Sequence, residues 1–476
     1  MKRIVKVFGA PGCGKTHYVL SVLDKLLKKY EPNEIAYVSF TRKGAYEGRD
    51  RAIEQFGFKA SDFPYFKTLH AIAFKDAGFT KSDVIQKRHY KEFSDAMHMR
   101  FTGYYTEDFS NNDDQYMFQH FLRMSNEKLA STYEQYMDVK MIDYVSKNYI
   151  GYKKQYGLID FTDMILQYVI RGAPLPVKVA IIDEAQDLTT LQWDMCKIAF
   201  KNCDVVYVAG DDDQAIYQWQ GADLHYFLGL EGEQVILDKS YRLPSKILNF
   251  AKQITQHITT RVDKDFKPFV EGGFIQYHDN LSTIKINEAE TYYMLSRNNY
   301  FLKYYTEWLK NEGMVYLYKN KKVVNANLVT AINDYEKFRK SGLYETQAKR
   351  VTTETYIRKD VYGTPPPWYD CFSIDVEDII YYRAIIRNKR NLDDIKIQVS
   401  TVHGVKGGEA DNVVLVLDVT KAIGKAFDTA TDSELRCLYV ACTRAKKSLH
   451  IVFSQTRLGY ENLLEVSDLM KGVTYE

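Results

Sequence analysis

The chain has 476 residues, 45% of them apolar and 26% charged, the balance of a folded globular protein and not of a disordered one. Sixty-four Lys and Arg stand against 62 Asp and Glu, a net charge of +2. That excludes a uniformly basic, histone-like protein but leaves room for a local basic groove. At roughly 150 residues per domain, the length allows about three domains. The 38 tyrosines fit either core packing or surfaces on which bases stack. Cys13, Cys196, Cys203, Cys371, Cys437 and Cys442 form no Cys-x-x-Cys pair, so reduced thiols and a cytoplasmic location are expected. No apolar run approaches the ~18 residues of a membrane span, so no membrane partner is expected. The first residues read as a strand and not as a signal peptide.

In chain order, Ile4 to Phe8 reads as a short strand. Val19, Leu20, Leu23, Leu26 and Leu27 repeat at helical spacing, and Ile35 to Phe40 is a second strand. That alternation predicts a parallel sheet with crossover helices. Residues 76–155 are polar, aromatic and helical in pattern. Strands return at Val177–Asp183 and Val205–Gly210. A stretch at 313–394 holds a helical segment from Leu328 to Arg339 and a break at Pro365-Pro366-Pro367-Trp368. Sheet-like runs follow at Ile395–Thr401, Val413–Leu417 and Leu449–Phe453. Two α/β blocks result, each interrupted by a smaller, mainly helical insertion.

Gly9-Ala10-Pro11-Gly12-Cys13-Gly14-Lys15-Thr16 fits G-x-x-x-x-G-K-[ST] between a strand and an amphipathic helix. Its glycines let backbone N–H groups turn onto phosphate oxygens, and the helix presents its N-terminus to the same anion. Lys15 would reach the β- and γ-phosphates of ATP, and Thr16 would hold Mg²⁺. The strand Val179–Ile182 ends at Asp183 and Glu184. Asp183 would bind Mg²⁺ through water, and Glu184 would polarise the attacking water. On these pieces alone a P-loop small-molecule kinase remains open.

Further segments carry a resemblance. Asp183-Glu184-Ala185-Gln186-Asp187 and Gly210-Asp211-Asp212-Asp213-Gln214-Ala215-Ile216-Tyr217-Gln218-Trp219-Gln220-Gly221-Ala222 resemble motifs II and III of the UvrD/Rep family of superfamily 1A DNA helicases. Ser39-Phe40-Thr41-Arg42-Lys43 resembles motif Ia, and Thr68-Leu69-His70 motif Ib. Leu158 to Asp163 resembles the segment before motif II. Ser240-Tyr241-Arg242 resembles motif IV, Thr401 to Glu409 motif V, and Leu438 to Ala445 motif VI. All stand in the family's order, over residues 1–75, 156–312 and 395–455.

The resemblance implies two RecA-like domains that clasp ATP. The expected division is 1–75 with 156–234 for domain 1, and 235–312 with 395–476 for domain 2. The insertions fall at 76–155 and 313–394. It also implies roles. Arg242 and Arg444, both in the second block, would stabilise charge on the transferred phosphoryl group. Gln214 would sense the γ-phosphate, Tyr241 would stack on the base, and Glu409 would accept from ribose hydroxyls. Phe40, Tyr217 and Trp219 would stack on bases of single-stranded DNA. Thr41 joins them within motif Ia, and Thr68, His70, Thr401 and His403 would contact phosphates. The implied activity is ATP-driven 3′–5′ translocation on single strands and unwinding at duplex junctions. A translocase that displaces proteins and unwinds poorly is the alternative.

Three departures from the family stand out. Gln220 replaces the usual Arg, and Gly408 replaces a Leu or Met. The family's glutamine-bearing segment upstream of the phosphate loop finds no room before Gly9, which predicts weak discrimination between bases.

Overall fold

The computed structural model describes residues 3–40, 42–105, 112–358 and 364–463. It divides into two compact units: Met1–Glu271 with Ala430–Tyr439, and Gly272–Thr429 with Val440–Glu476.

The first unit is built on a six-stranded, wholly parallel sheet. Its strands are β1 (Arg3–Gly9), β2 (Ile35–Ser39), β3 (Phe66–Lys67), β4 (Val179–Asp183), β5 (Val205–Gly210) and β6 (Glu233–Leu237). Their order across the sheet is β3-β2-β4-β5-β1-β6. A parallel sheet is covered on both faces, so its strands read as continuous apolar runs and not as alternation. Val5, Val7, Tyr37, Ile181 and Ala209 fill one face together with Val19, Leu20 and Leu23 of the helix Lys15–Leu26. Phe8, Val38, Ile182 and Val208 fill the other, under the helices Leu69–Asp76, Phe161–Arg171 and Thr190–Ala199.

Residues 76–155 form the helices Lys87–Met97, Asn112–Ser125, Glu127–Glu134 and Val139–Tyr156 around Phe93, Phe101, Met117, Val145 and Tyr149. The last helix starts where the Asp138 carboxylate accepts from the N–H groups of Lys140 and Met141. It ends at Gly157, whose φ of 63° suits a residue without a β-carbon.

Chain segments β7 (Lys239–Pro244) and β8 (Lys267–Val270) pair with each other and belong to this unit. The expected division at 234/235 therefore falls inside it. The cause is local: β6 runs beside β1, and the backbone of Tyr241 donates to Gly12 O at 2.9 Å.

The second unit holds a seven-stranded sheet in the order β12-β11-β13-β10-β14-β15-β9. Its strands are β9 (Phe274–His278), β10 (Tyr292–Ser296), β11 (Tyr316–Tyr318), β12 (Lys321–Lys322), β13 (Ile397–Thr401), β14 (Ala410–Val416) and β15 (Ala445–Val452). All its pairings are parallel except β11 with β12. β11 and β12, expected within the insertion, thus extend the main sheet. The remainder of 313–394 is mainly helical among the described residues, with Ala326–Ser341 and Val376–Arg387 the longest pieces. No helix of the described residues is long and apolar enough to cross a membrane.

Candidate functional site

Ligands of open parallel sheets gather where the strands end, because loops there diverge and N–H groups point outward. In the first unit β1 ends at the phosphate loop, β2 at Phe40, β4 at Asp183 and Glu184, and β5 at Asp211–Asp213. The sheet order sets β1 beside β5 and β5 beside β4, which brings these ends together.

Gly12 and Gly14 of the loop sit at φ 72° and 79°, a left-handed conformation that costs a side-chain-bearing residue energy. Lys15 Nζ donates to Gly9 O at 2.7 Å and to Ala10 O at 3.4 Å, so its ammonium lies within the loop. Burial alone would lower the Lys15 pKa. The neighbouring Cys13, Asp211, Glu184 and Asp183 overcome that and raise it.

Asp183 is 9% exposed and accepts from the Tyr37 hydroxyl at 2.6 Å. Burial, and then the Glu184 carboxylate, push Asp183 up to about 6 against the pull of Tyr37 and Lys15. Glu184 stands at φ 53° in the left-handed region, and its N–H donates to Asp183 Oδ1 at 3.0 Å. Such backbone strain is kept where the surroundings over-determine it. Gln186 ties two motifs together. Its Nε2 donates to Glu184 Oε2 at 2.6 Å, and its Oε1 accepts from Asp211 N at 3.1 Å. Gln214 Nε2 donates to Asp211 Oδ2 at 2.7 Å, which orients the amide. The hard oxygen donors of Thr16 and Asp183 are of the class Mg²⁺ takes.

Motif IV was expected in the second block. The structure places Ser240, Tyr241 and Arg242 on the phosphate loop within the first unit. Ser240 Oγ donates to Pro11 O at 2.9 Å. The β-carbon that a side chain at Gly12 would bring falls 2.2 Å from Arg242 Cβ. The Tyr241 ring is 55% exposed and lies 5.1 Å from that of Phe269, an aromatic the sequence reading passed over.

Beneath motif III lies a buried charge cluster that the sequence reading also missed. Asp211, Asp212 and Asp213 converge like a metal ligand set. Lys264 fills the centre instead, 3.3 Å from Asp211, 3.0 Å from Asp213 and paired with Asp212. Arg261 pairs with Asp213 at 2.8 Å. Arg436 Nε donates to Asp212 O at 2.9 Å, and its other nitrogens reach Gln218 and Thr260 O.

Of the residues expected to meet DNA, Phe40 and Tyr217 stack at 5.6 Å between centroids. Trp219 lies 5.8 Å from Phe118 of the helical region. Asn126 Nδ2 donates to Gly221 O, fixing the turn that follows Trp219. Thr68 is buried, and its hydroxyl accepts from Ala71 N as the cap of the helix Leu69–Asp76. His70 sets its ring edge-on to Phe161. Thr41 lies outside the described residues. Gln220 is exposed. The segment before motif II has a structural task. Asp160 and Asp163 cap the helix Phe161–Arg171, and both accept from buried Lys153 at 2.6 Å.

In the second unit, Thr401 closes β13 and accepts from Gly404 N at 3.3 Å, whereas Glu409 precedes β14. Because β13 and β14 both run parallel to β10, the loop 402–409 passes from the C-terminal ends of the strands to their N-terminal ends. Thr401 therefore sits at the C-terminal ends of the strands, and Glu409 and Arg444 at the N-terminal ends. Arg444 is buried and donates to Val440 O, Gly408 O and Thr443 Oγ1. Glu409 is 3.8 Å from Lys446. A β-carbon at Gly408 would meet the Tyr293 hydroxyl oxygen at 2.4 Å.

Comparison with known families fits this arrangement. The UvrD/REP helicase N-terminal domain matches residues 1–234, and the UvrD-like helicase C-terminal domain matches residues 396–452. The chain belongs to the UvrD/Rep helicase family. Among relatives it is similar to the ATP-dependent DNA helicase Rep of Buchnera aphidicola, 23% identical over 276 residues, 52% of this chain and 40% of that protein. It is also similar to the ATP-dependent DNA helicase PcrA of Staphylococcus epidermidis, 26% identical over 53% of this chain and 33% of that one. PcrA of Staphylococcus aureus is 23% identical over 82% of this chain and 52% of its own length. The match thus spans about half or less of these UvrD/Rep relatives. Beyond the residues that the sequence singled out, the structure adds Lys264, Arg261 and Arg436 behind motif III, and Phe269 beside Tyr241.

Proposed function

We propose that this chain is an ATP-dependent DNA helicase that moves 3′ to 5′ on single-stranded DNA and unwinds duplex at junctions. The observation that carries the reading is the gathering, at the C-terminal ends of the adjacent strands β1, β5 and β4, of the phosphate loop, Asp183–Glu184 and Gln214, with Arg242 laid on Gly12. Relatives named as ATP-dependent DNA helicases support the substrate class.

In this reading the loop N–H groups and Lys15 bind the phosphates of ATP. Thr16 and Asp183 would hold Mg²⁺, which would supply neutralisation of phosphate charge. Glu184 takes a proton from the attacking water, and Gln214, held by Asp211, orients that water. Arg242 and Arg444 stabilise charge on the transferred group. Tyr241 stacks on the base and Glu409 accepts from the ribose. Phe40, Tyr217 and Trp219 offer ring faces to successive bases, which is sequence-tolerant because every base has a π-face. Thr41, Thr68, His70, Thr401 and His403 border the strand's phosphates.

The test is ATP turnover and strand displacement on 3′-tailed, 5′-tailed and blunt duplexes. Turnover that rises with single-stranded DNA, and displacement only from a 3′ tail, is the expected result. Equal displacement from a 5′ tail overturns the polarity. Turnover indifferent to DNA but raised by a small phosphate acceptor overturns the helicase reading in favour of a kinase.

A further inference from the structure

The strand β2 does more than lead to Phe40. Tyr37 is 2% exposed, and its hydroxyl donates to Asp183 Oδ2 at 2.6 Å. The other carboxylate oxygen accepts from Glu184 N. Both oxygens of Asp183 are thereby oriented by donors, so the carboxylate has one rotamer to occupy. The tyrosine is itself held. Its ring stacks on Phe66 at 5.4 Å. The facing residue is Gly48, where a β-carbon would come within 2.8 Å of the Tyr37 ring.

A second observation on the same strand points to a ligand. Ser39 is the register partner of Asp183 across β2 and β4. Register partners in a parallel sheet present their side chains to the same face. Ser39 is 3% exposed, and its hydroxyl oxygen has no hydrogen-bond partner among the described residues. A buried hydroxyl left unpaired costs about 1–3 kcal/mol, so a site that keeps one has something to pair it with. A hydrated cation beside Asp183 brings water protons, and the Ser39 oxygen is placed to accept one.

We propose that Tyr37 is a positioning residue for the cation site of this ATPase, fixing Asp183, and that the Ser39 hydroxyl receives a cation-bound water. The proposal rests on the ATPase reading above. Partners that orient a ligating carboxylate set metal affinity through it, and removing one costs tenfold to a hundredfold.

The test uses the full chain with Mn²⁺ as the probe, free Mn²⁺ being read by electron paramagnetic resonance at saturating ADP. Tyr37→Phe keeps the ring against Gly48 and removes only the hydroxyl. It is expected to weaken Mn²⁺ binding to the ADP complex about tenfold or more. Affinity for a fluorescent ADP in EDTA, and the melting temperature, stay near wild type. Ser39→Ala is expected to weaken Mn²⁺ by a smaller factor, again with no effect in EDTA. Mn²⁺ affinity within twofold of wild type in Tyr37→Phe overturns the proposal. So does an equal loss of ADP affinity in EDTA, which makes Tyr37 a packing residue. If Tyr37→Phe does not fold, Ser39→Ala decides, and unchanged Mn²⁺ affinity there overturns the proposal. A wild-type chain that binds ADP without any Mn²⁺ dependence sinks the ATPase reading together with it.

Discussion

Arg242 rests directly on Gly12: a β-carbon added to that glycine would lie 2.2 Å from Arg242 Cβ and 3.1 Å from its backbone nitrogen. Gly12 also holds φ 72°. Gly12→Ala therefore meets two penalties, one conformational and one steric against main chain that cannot swing away. The expected outcome is a loss of ATP-analogue affinity of about tenfold or more, with ~1–2 kcal/mol from the backbone alone. Fluorescence titration reads the affinity, and far-ultraviolet circular dichroism reports that the fold is kept.

Under the proposed function, Lys15 and Glu184 separate binding from hydrolysis. Lys15→Ala removes the ammonium from inside the loop and is expected to abolish turnover and weaken nucleotide binding. Glu184→Gln keeps the shape and an acceptor for Gln186 but removes the base. Turnover is expected to fall by about 10²–10⁴ with binding retained. Steady-state kinetics beside an equilibrium titration checks both variants, and a Glu184→Gln enzyme with normal turnover removes Glu184 from the chemistry.

Lys264 has no exposed side-chain surface and touches all three carboxylates of Asp211–Asp213. Lys264→Met leaves buried negative charge uncompensated, which costs about 3–5 kcal/mol. The chain is expected to unfold at lower denaturant, with Asp212→Asn in the same chain restoring part of the loss. Strictly additive effects of the two substitutions show that the pair is not coupled.

Two buried histidines make the fold sensitive to acid. Burial first, then Lys153, lowers His120 to about 4, and burial with His278 lowers His450 to about 4. His278 Nε2 and His450 Nδ1 share a hydrogen bond of 3.0 Å between β9 and β15, so one ring must stay an acceptor. Both folded pKa values lie below the unfolded value of 6.5, so the unfolded chain takes up protons first. Stability is full above pH 6.5 and falls as the pH drops from there towards 4. The limit is ~3 kcal/mol for each histidine. Melting curves between pH 8 and 5 measure the slope, and His450→Phe is expected to reduce it.

Trp219 sits against Phe118 at the tail of motif III, on a turn held by Asn126. Trp219→Ala is expected to lower single-stranded DNA affinity by ~1–3 kcal/mol, similarly for different sequences. ATP affinity without DNA stays unchanged. Anisotropy with two unrelated oligonucleotides checks it, and a loss of helical signal shows instead that the ring is packing for Phe118.

The local elements of the candidate site were legible because each is made of neighbours in sequence: a strand, a glycine-rich turn and a helix, or a strand ending in two acids. The strands of the core were legible because burial on both faces makes them apolar runs. What escaped has no local mark. β3 is two residues long, and β6 to β8 mix Glu, Gln, Lys and Arg with apolar residues. The helix Lys421–Cys442 opens on Gly424 and small or β-branched residues that dilute its period. Lys264 and Arg261 stand in a charged stretch, Arg261-Val262-Asp263-Lys264-Asp265, that carries no local mark of burial. Their one signal was indirect, since three consecutive acids after a buried strand require cations from elsewhere. The move of motif IV onto the phosphate loop rests on β6 pairing with β1, a contact between segments more than two hundred residues apart.

Arg436 comes late in the chain, yet it donates to Asp212 O and Thr260 O inside the first unit. Its ten-residue neighbourhood, Ala430–Tyr439, belongs to that unit although the flanking residues belong to the second. During synthesis, then, the turn that carries Gln214 waits for a residue made some two hundred positions later. The loop that closes it is long, and long-range closure is slow relative to local helix formation. The nascent first unit can assemble its sheet early while the motif III turn still lacks its last donor. A fragment stopping at Glu271 would therefore carry the phosphate loop while the motif III turn lacks the donor that Arg436 brings to Asp212 O.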